Sequence, residues 1–258
     1  MLQIAYRKKG IRISQYWFTQ DIAVQGEKKA DISFFHGILK PSLKRNCYTS
    51  LFHTLITNLQ VTEEKLQAQI NKNVRYEIRR NMKEAVEYRV FDAKELKRRK
   101  EVVDSFANMY ELMYLEKGKK VSFNRVQFEQ YVLADAIMLT AVFEENTPLV
   151  FHSYLVDESQ VRLLHSVSDF RSGQVDSNLI ARANKRLHWE DLCLFKDMGK
   201  ESYDWGGVSS LENPNGIDSF KFKFGGEPFT YYNVYRGDSL SGKMAIRFLK
   251  WKNGQKDE

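Results

Sequence analysis

A chain of 258 residues with 43% hydrophobic and 28% charged positions is long enough to bury a sizeable core and too apolar to be broadly disordered. Its most apolar stretch, Val132 to Phe143, is interrupted by Asp135 and falls well short of the roughly 20 residues a bilayer helix requires, so no membrane span is expected. The formal net charge of +7 is uneven: residues 71–100 hold eleven Lys or Arg against five acids. That surplus fits either a solvated helix face or a footprint for an anionic partner such as tRNA, a nucleotide-sugar, coenzyme A or an anionic membrane surface.

In chain order, Arg7-Lys8-Lys9 is not followed by an apolar run, so no signal peptide is expected, and the location read from the sequence is cytoplasmic. Ile13 to Phe18 and Ile32 to Phe35 are β-branched and aromatic runs that predict strands. Lys40-Pro41-Ser42 then breaks the chain before Leu51 to Leu59. Thr62 opens a helix with Glu63 and Glu64 in its first turn. Leu66, Ile70 and Val74 at fourfold spacing carry it to about Ala85. A strand over Val86 to Phe91 and a basic-faced helix over Ala93 to Tyr114 follow, then a short helix over Arg125 to Leu133. Ala136 to Phe143, Leu149 to Val156 and Val161 to Val167 have hairpin-length connections and predict an antiparallel meander. Leu179, Ala183, Leu187, Leu194 and Met198 share one face of a long helix that Gly199 terminates. A short strand over Ser202 to Trp205, a short helix through Phe220, a strand over Phe229 to Tyr235 and a helix over Ser239 to Lys252 complete the chain. Cys47 and Cys193 form no C-x-x-C and read as structural thiols of a reducing compartment.

Three stretches carry more than order. Tyr203-Asp204-Trp205-Gly206-Gly207 resembles the Y-D-aromatic-G-G strand end of the FemA/FemX (FemAB) aminoacyltransferases. Phe220-Lys221-Phe222-Lys223-Phe224-Gly225-Gly226 is similar to that family's F-K-x-x-F-G-G signature. Arg75-Tyr76-Glu77-Ile78-Arg79-Arg80 is similar to the R-x-x-I-R-R helix leading into its catalytic domain. The resemblance implies an α+β fold of the GNAT (acyl-CoA N-acyltransferase-like) type, a mixed and mostly antiparallel sheet flanked by helices. It implies a shortened N-terminal portion over residues 1–70, a catalytic domain over 71–238 and a basic C-terminal helix and tail over 239–258. It also implies an acyltransferase with no tightly bound cofactor. Its donor would be aminoacyl-tRNA or acyl-CoA, and its acceptor an amine of a cell-envelope or small-metabolite precursor, with peripheral membrane contact among the expected partners. The alternative is an RNA- or membrane-surface-binding module that keeps the fold without catalysis.

Acyl transfer to an amine requires an aimed, deprotonated nucleophile, a stabilised oxyanion and a held leaving group. The resemblance places Phe220 and Lys221 beside the donor, one as a stacking surface and the other as a cation for its phosphate. Gly225 belongs with the close-approach glycines of the same cleft. The segment after the meander, Phe170-Arg171-Ser172-Gly173, offers Arg171 and Gly173 for a phosphate, but lacks the further glycines of the coenzyme A cradle. If the Asp157 to Gln160 turn is symmetric, His152 lies opposite His165, with Tyr154 and Asp169 on the same face. His165 is then either a proton acceptor beside the strand gap or one of two satisfied histidines in a half-buried sheet. His165, Asp169 and Asp204 are the candidate catalytic residues. No metal site is expected, and His188 reads as structural. The gap itself is expected where two strands part near Val167 and Tyr203.

Overall fold

The computed structural model describes residues 1–23, 30–170, 173 and 175–254. Alternating apolar and polar residues form β1 (Leu2–Lys8), β2 (Ile11–Trp17) and β3 (Ile32–Ile38), followed by the longer β4 (Cys47–Asn58). Helices α1 (Glu63–Gln69) and α2 (Lys72–Asn81) stand where one helix was expected. Ile70 is extended between them, and the Asn71 side chain accepts from the Asn73 N–H to start α2 afresh. After β5 (Glu87–Phe91), the next expected helix is also divided, into α3 (Ala93–Arg98) and α4 (Lys100–Glu116), because Arg99 leaves helical geometry at φ −103°, ψ 69°. Then come α5 (Arg125–Leu133), β6 (Ile137–Glu144), β7 (Thr147–Val156), β8 (Gln160–Ser168) and α6 (Ser177–Asp197). The chain closes with β9 (Ser202–Asp204), α7 (Gly216–Phe222), β10 (Glu227–Gly237) and α8 (Leu240–Lys252). No helix among the described residues is long and apolar enough to cross a membrane.

The chain divides into two compact units, drawn differently from the expected boundaries at 70 and 238. The first comprises Met1–Thr54 and Pro228–Glu258. Its strands run β1-β2-β3-β10, with β1 antiparallel to β2, β2 parallel to β3 and β3 antiparallel to β10. Tyr16, Phe35, Ile38, Cys47 and Val234 form its core. The last strand, assigned from sequence to the catalytic domain, therefore returns to the first strands of the chain.

The second unit, Leu55–Glu227, orders its strands β4-β9-β8-β7-β6-β5. Strands β5 to β8 are an antiparallel meander, β9 is parallel to β8, and the end of β4 is antiparallel to β9. Helix α6 packs on β6, β7 and β8 and against α2, while α4 lies against β8. Side chains alternate across a strand, so neighbours on β7 meet different helices. Phe151 reaches Phe106 of α4, and His152 reaches Asp191 of α6. This α+β order is the GNAT-like one. The core beneath α6 includes Tyr154, Trp189, Leu192, Phe195, Tyr203, Trp205 and Phe224.

Candidate functional site

Strands β8 and β9 pair over only three positions, Gln160↔Ser202, Val161↔Tyr203 and Arg162↔Asp204. Beyond them β8 continues to Ser168 while β9 has ended, so the strands part after Arg162, earlier on β8 than expected. Two local features cause this. The Trp205 N–H donates to the Leu55 carbonyl at 3.0 Å, and the Trp205 indole N–H donates to Thr57 Oγ1 at 2.9 Å, keeping the chain with β4. Gly206 then turns at φ +67°, where a Cβ would stand 2.5 Å from the Leu163 carbonyl oxygen, so no other residue fits. On the other strand, Leu164 is an extra residue: Tyr154 pairs with Leu163, yet Ser153 pairs with His165.

Asp204 and Lys221 stand at this parting. Asp204 Oδ1 accepts from the Gly206 N–H at 2.8 Å, and Oδ2 lies 3.7 Å from Arg162 Nε. Lys221 Nζ donates to the Gly207 carbonyl at 2.8 Å and the Gly206 carbonyl at 3.4 Å, so the two motifs meet through this ammonium. Burial lowers the Lys221 pKa to about 8, against the opposing pull of Asp204 and Asp218. Helix α7 is set by Asn215 and Asp218, whose side chains and backbone N–H groups satisfy one another in a capping box. Asp218 is buried and also accepts from the Ser209 hydroxyl and N–H, fixing the loop that follows Gly207.

Phe220 lies beside His188, with ring centroids 5.4 Å apart, and Trp205 and Phe224 complete the cluster. His188 is buried, and its Nδ1 has no partner among the described residues. Burial, then His152 and Lys221, hold its pKa well below the usual histidine value. It touches the same aromatic wall as Phe220, which the structural reading from sequence did not anticipate. Gly225 serves packing: a Cβ there would approach Gln69 Cβ to 2.8 Å. Gly173 is exposed at φ +72°, with no described residue beyond its chain neighbours within 4 Å of where a Cβ would stand, and Arg171 lies outside the described residues.

The expected pairing of His152 with His165 is corrected by the Leu164 bulge. His152 faces α6, where Nδ1 lies 2.7 Å from Asp191 Oδ2 and Nε2 lies 2.9 Å from Asn184 Oδ1. His165 faces α4, against the rings of Phe106 and Tyr110 at 6.2 and 5.1 Å, and burial lowers its pKa to about 4. Tyr154 shares the His152 side only. Asp169 follows the end of β8, its N–H donating to the Leu149 carbonyl at 3.2 Å. His165, Asp169 and Asp204 thus occupy three different surroundings.

What sequence reasoning missed is a buried network around Asp191. Oδ1 accepts from Tyr88 at 3.2 Å, and Oδ2 from Tyr154 at 2.6 Å, while the Tyr154 hydroxyl also meets that of Tyr203 at 2.9 Å. One signal was available: Asn184, His188 and Asp191 recur on one face of a helix whose other periodic positions are apolar. Cys47 and Cys193 are free thiols, and burial pushes that of Cys193 up to about 12.

The sequence matches no family model and no curated protein. Solved structures do resemble it. The C-terminal domain of a putative lysylphosphatidylglycerol synthetase from Agrobacterium fabrum superposes at TM-score 0.53 and 11% identity, over 84% of this chain and 71% of that one. L-PGS from Bacillus licheniformis gives TM-score 0.53 and 16% identity over the same shares, 84% and 71%. FemX gives 0.53 and 13%, over 78% of this chain and 63% of that chain. At such identities the likeness is one of fold, and the resemblance to FemX read from the motifs is met at that level.

Proposed function

We propose that this chain transfers an aminoacyl or acyl group to an amine, with the donor seated where β8 and β9 part. The carrying observation is a strand pair that ends at Arg162↔Asp204 with the Lys221 ammonium at the Gly206-Gly207 turn beside it. Backbone N–H groups of β8 beyond Leu163 have no β9 partner and are suited to hold the acyl arm and its developing oxyanion. The amine nitrogen attacks the acyl carbonyl carbon and a C–N bond forms. The C–O or C–S bond to the carrier breaks, and the nucleophile's proton leaves with the carrier or to solvent. Lys221 supplies a cation for a donor phosphate, and Phe220 an aromatic surface beside it.

Aminoacyl-tRNA is the preferred donor. The basic stretch over 71–100 suits a polyanion, and the loop through Gly173 lacks the glycines of a pyrophosphate cradle. Similar structures named FemX and lysylphosphatidylglycerol synthetase point the same way. This reading puts the protein in the cytoplasm, acting on an envelope or metabolite precursor. The test supplies charged tRNA and acyl-CoA in parallel, with amino sugars and amino acids as acceptors, with and without RNase. Transfer is expected from charged tRNA, abolished by RNase, and reduced at least about ten-fold in a folded Lys221→Ala variant. Transfer surviving RNase removes tRNA as donor. Transfer from neither donor leaves a binding module and overturns the proposal.

A further inference from the structure

Helix α8 reads Leu240-Ser241-Gly242-Lys243-Met244-Ala245-Ile246-Arg247-Phe248-Leu249-Lys250-Trp251-Lys252, with four cations and no acid. Its inner edge is anchored within the first unit. A Cβ on Gly242 would overlap the Asp31 carbonyl oxygen, 1.8 Å away, so only glycine allows this approach. Ile246 is buried, and Lys250 Nζ donates to the Arg45 carbonyl at 3.2 Å. Ser239 caps the helix by accepting from the Gly242 N–H at 3.1 Å. The rotation of α8 about its axis is therefore fixed.

At 3.6 residues per turn, Leu240, Met244, Phe248 and Trp251 fall on the side away from that edge. They are 82%, 69%, 61% and 77% exposed, and the last two rings stand 5.8 Å apart. Lys243 and Arg247 are exposed along one flank of this stripe, and Lys252 along the other. The loop joined to α8 through Arg45 adds exposed Lys40, Lys44 and Arg45 around Leu43, itself 79% exposed. Single exposed apolar residues need no explanation; a continuous aromatic-ended stripe on a water-facing helix side does.

We propose that α8 docks this protein on an anionic lipid bilayer, lying flat in the interface. Leu240, Met244, Phe248 and Trp251 enter the acyl boundary, and Lys243, Arg247 and Lys252 meet lipid phosphates. Charge decides between occupants. Two copies of α8 face to face would bring the six flanking cations together, Lys243, Arg247 and Lys252 of each, whereas an anionic surface satisfies both flanks at once. RNA would satisfy the charges but leave the apolar stripe in water. At 13 residues the helix is too short to span, and Trp and Phe beside Lys and Arg are the composition of an interfacial helix. This inference does not depend on acyl transfer.

The full chain is sedimented with vesicles of phosphatidylcholine, alone or mixed with phosphatidylglycerol. Binding is expected only to the mixed vesicles, weakening as salt rises. Lys243→Gln with Arg247→Gln should weaken it about 25-fold, at about five-fold per cation. Phe248→Ser with Trp251→Ser should weaken it at least about ten-fold. All four side chains are exposed, and circular dichroism checks that the fold is kept. Arg79→Gln with Lys83→Gln, an equal charge change on and just beyond α2, should leave binding intact; an equal loss there overturns the assignment to α8. Wild type that fails to pellet with mixed vesicles overturns the proposal. So does a concentration-dependent dimer that Phe248→Ser with Trp251→Ser abolishes, with no vesicle binding.

Discussion

On the α6 side of the second unit's sheet, His152, Tyr154 and Tyr203 close around Asp191, whereas on the α4 side Phe123, Phe128 and Phe151 pack ring against ring around Phe106, which also meets His165. Both sides are interior, yet only one is polar. The difference teaches what makes buried polarity tolerable. Asp191 has three polar partners within hydrogen-bonding distance, Tyr88, Tyr154 and His152, so neither of its oxygens is left unsatisfied. Burial, then Asp191, raises the Tyr154 pKa well above the usual tyrosine value, and the same two causes act on Tyr203. Both hydroxyls therefore remain donors. His165 has aromatic neighbours instead of a carboxylate, and it stays neutral.

The largest effect expected from this contrast is at Asp191. Asp191→Ala leaves two buried tyrosine hydroxyls and a histidine facing an empty acceptor position, and should cost about 3–5 kcal/mol of stability. Urea unfolding followed by circular dichroism measures it. A loss under about 1 kcal/mol would mean that the carboxylate does not organise this side, and the contrast between the faces would fail.

The two sides were unequally legible in the sequence. The hairpin-length connections between the strands over 137–168 announced the meander, and Gly199 announced the end of α6, because those signals are local. The Leu164 bulge was not announced: an inserted residue leaves the alternation plausible on each side of it, and it alone moves His165 to the opposite face from His152. The break at Ile70 was hidden for a related reason. Ile70 stays buried in an extended conformation, so the fourfold spacing of Leu66, Ile70 and Val74 survives while the helix does not. The return of β10 to β3 joins residues some 200 positions apart, which no short-range pattern encodes. At the candidate site, the two glycine-bearing motifs were readable as residues, but not the contact between Lys221 and the Gly206-Gly207 carbonyls that joins them.

A smaller effect is expected at His165, and it depends on pH. Its folded pKa of about 4 lies below the ordinary value of 6.5, so the unfolded chain binds this proton more readily. The stability it confers is complete above about pH 6.5 and is lost as pH falls through about 4. His165→Phe keeps an aromatic ring against Phe106 and removes that titration. Wild type and variant should agree within about 1 kcal/mol at neutral pH, with the variant ahead by on the order of 2 kcal/mol near pH 4. Parallel denaturant titrations across that range would expose the opposite result, a constant difference, which would place His165 in a polar setting. His188 is also shifted downward and remains in both proteins, so some acid sensitivity should persist.

The smallest change lies directly across from His165. Ser153 is buried on the α4 side, and its hydroxyl has no partner among the described residues. A buried hydroxyl without a partner costs about 1–3 kcal/mol of desolvation, while removing its oxygen leaves only a small void. Ser153→Ala should therefore lie within about 1 kcal/mol of wild type, on the stabilising side. Ser166 of the neighbouring strand is the control, because its hydroxyl donates to Asn184 Oδ1 at 3.4 Å on the polar side. The same truncation there removes a bond and should only destabilise. If thermal unfolding ranks the two alanine variants the other way, the hydroxyl of Ser153 has a partner, and the α4 side is not the apolar counterpart of the network around Asp191.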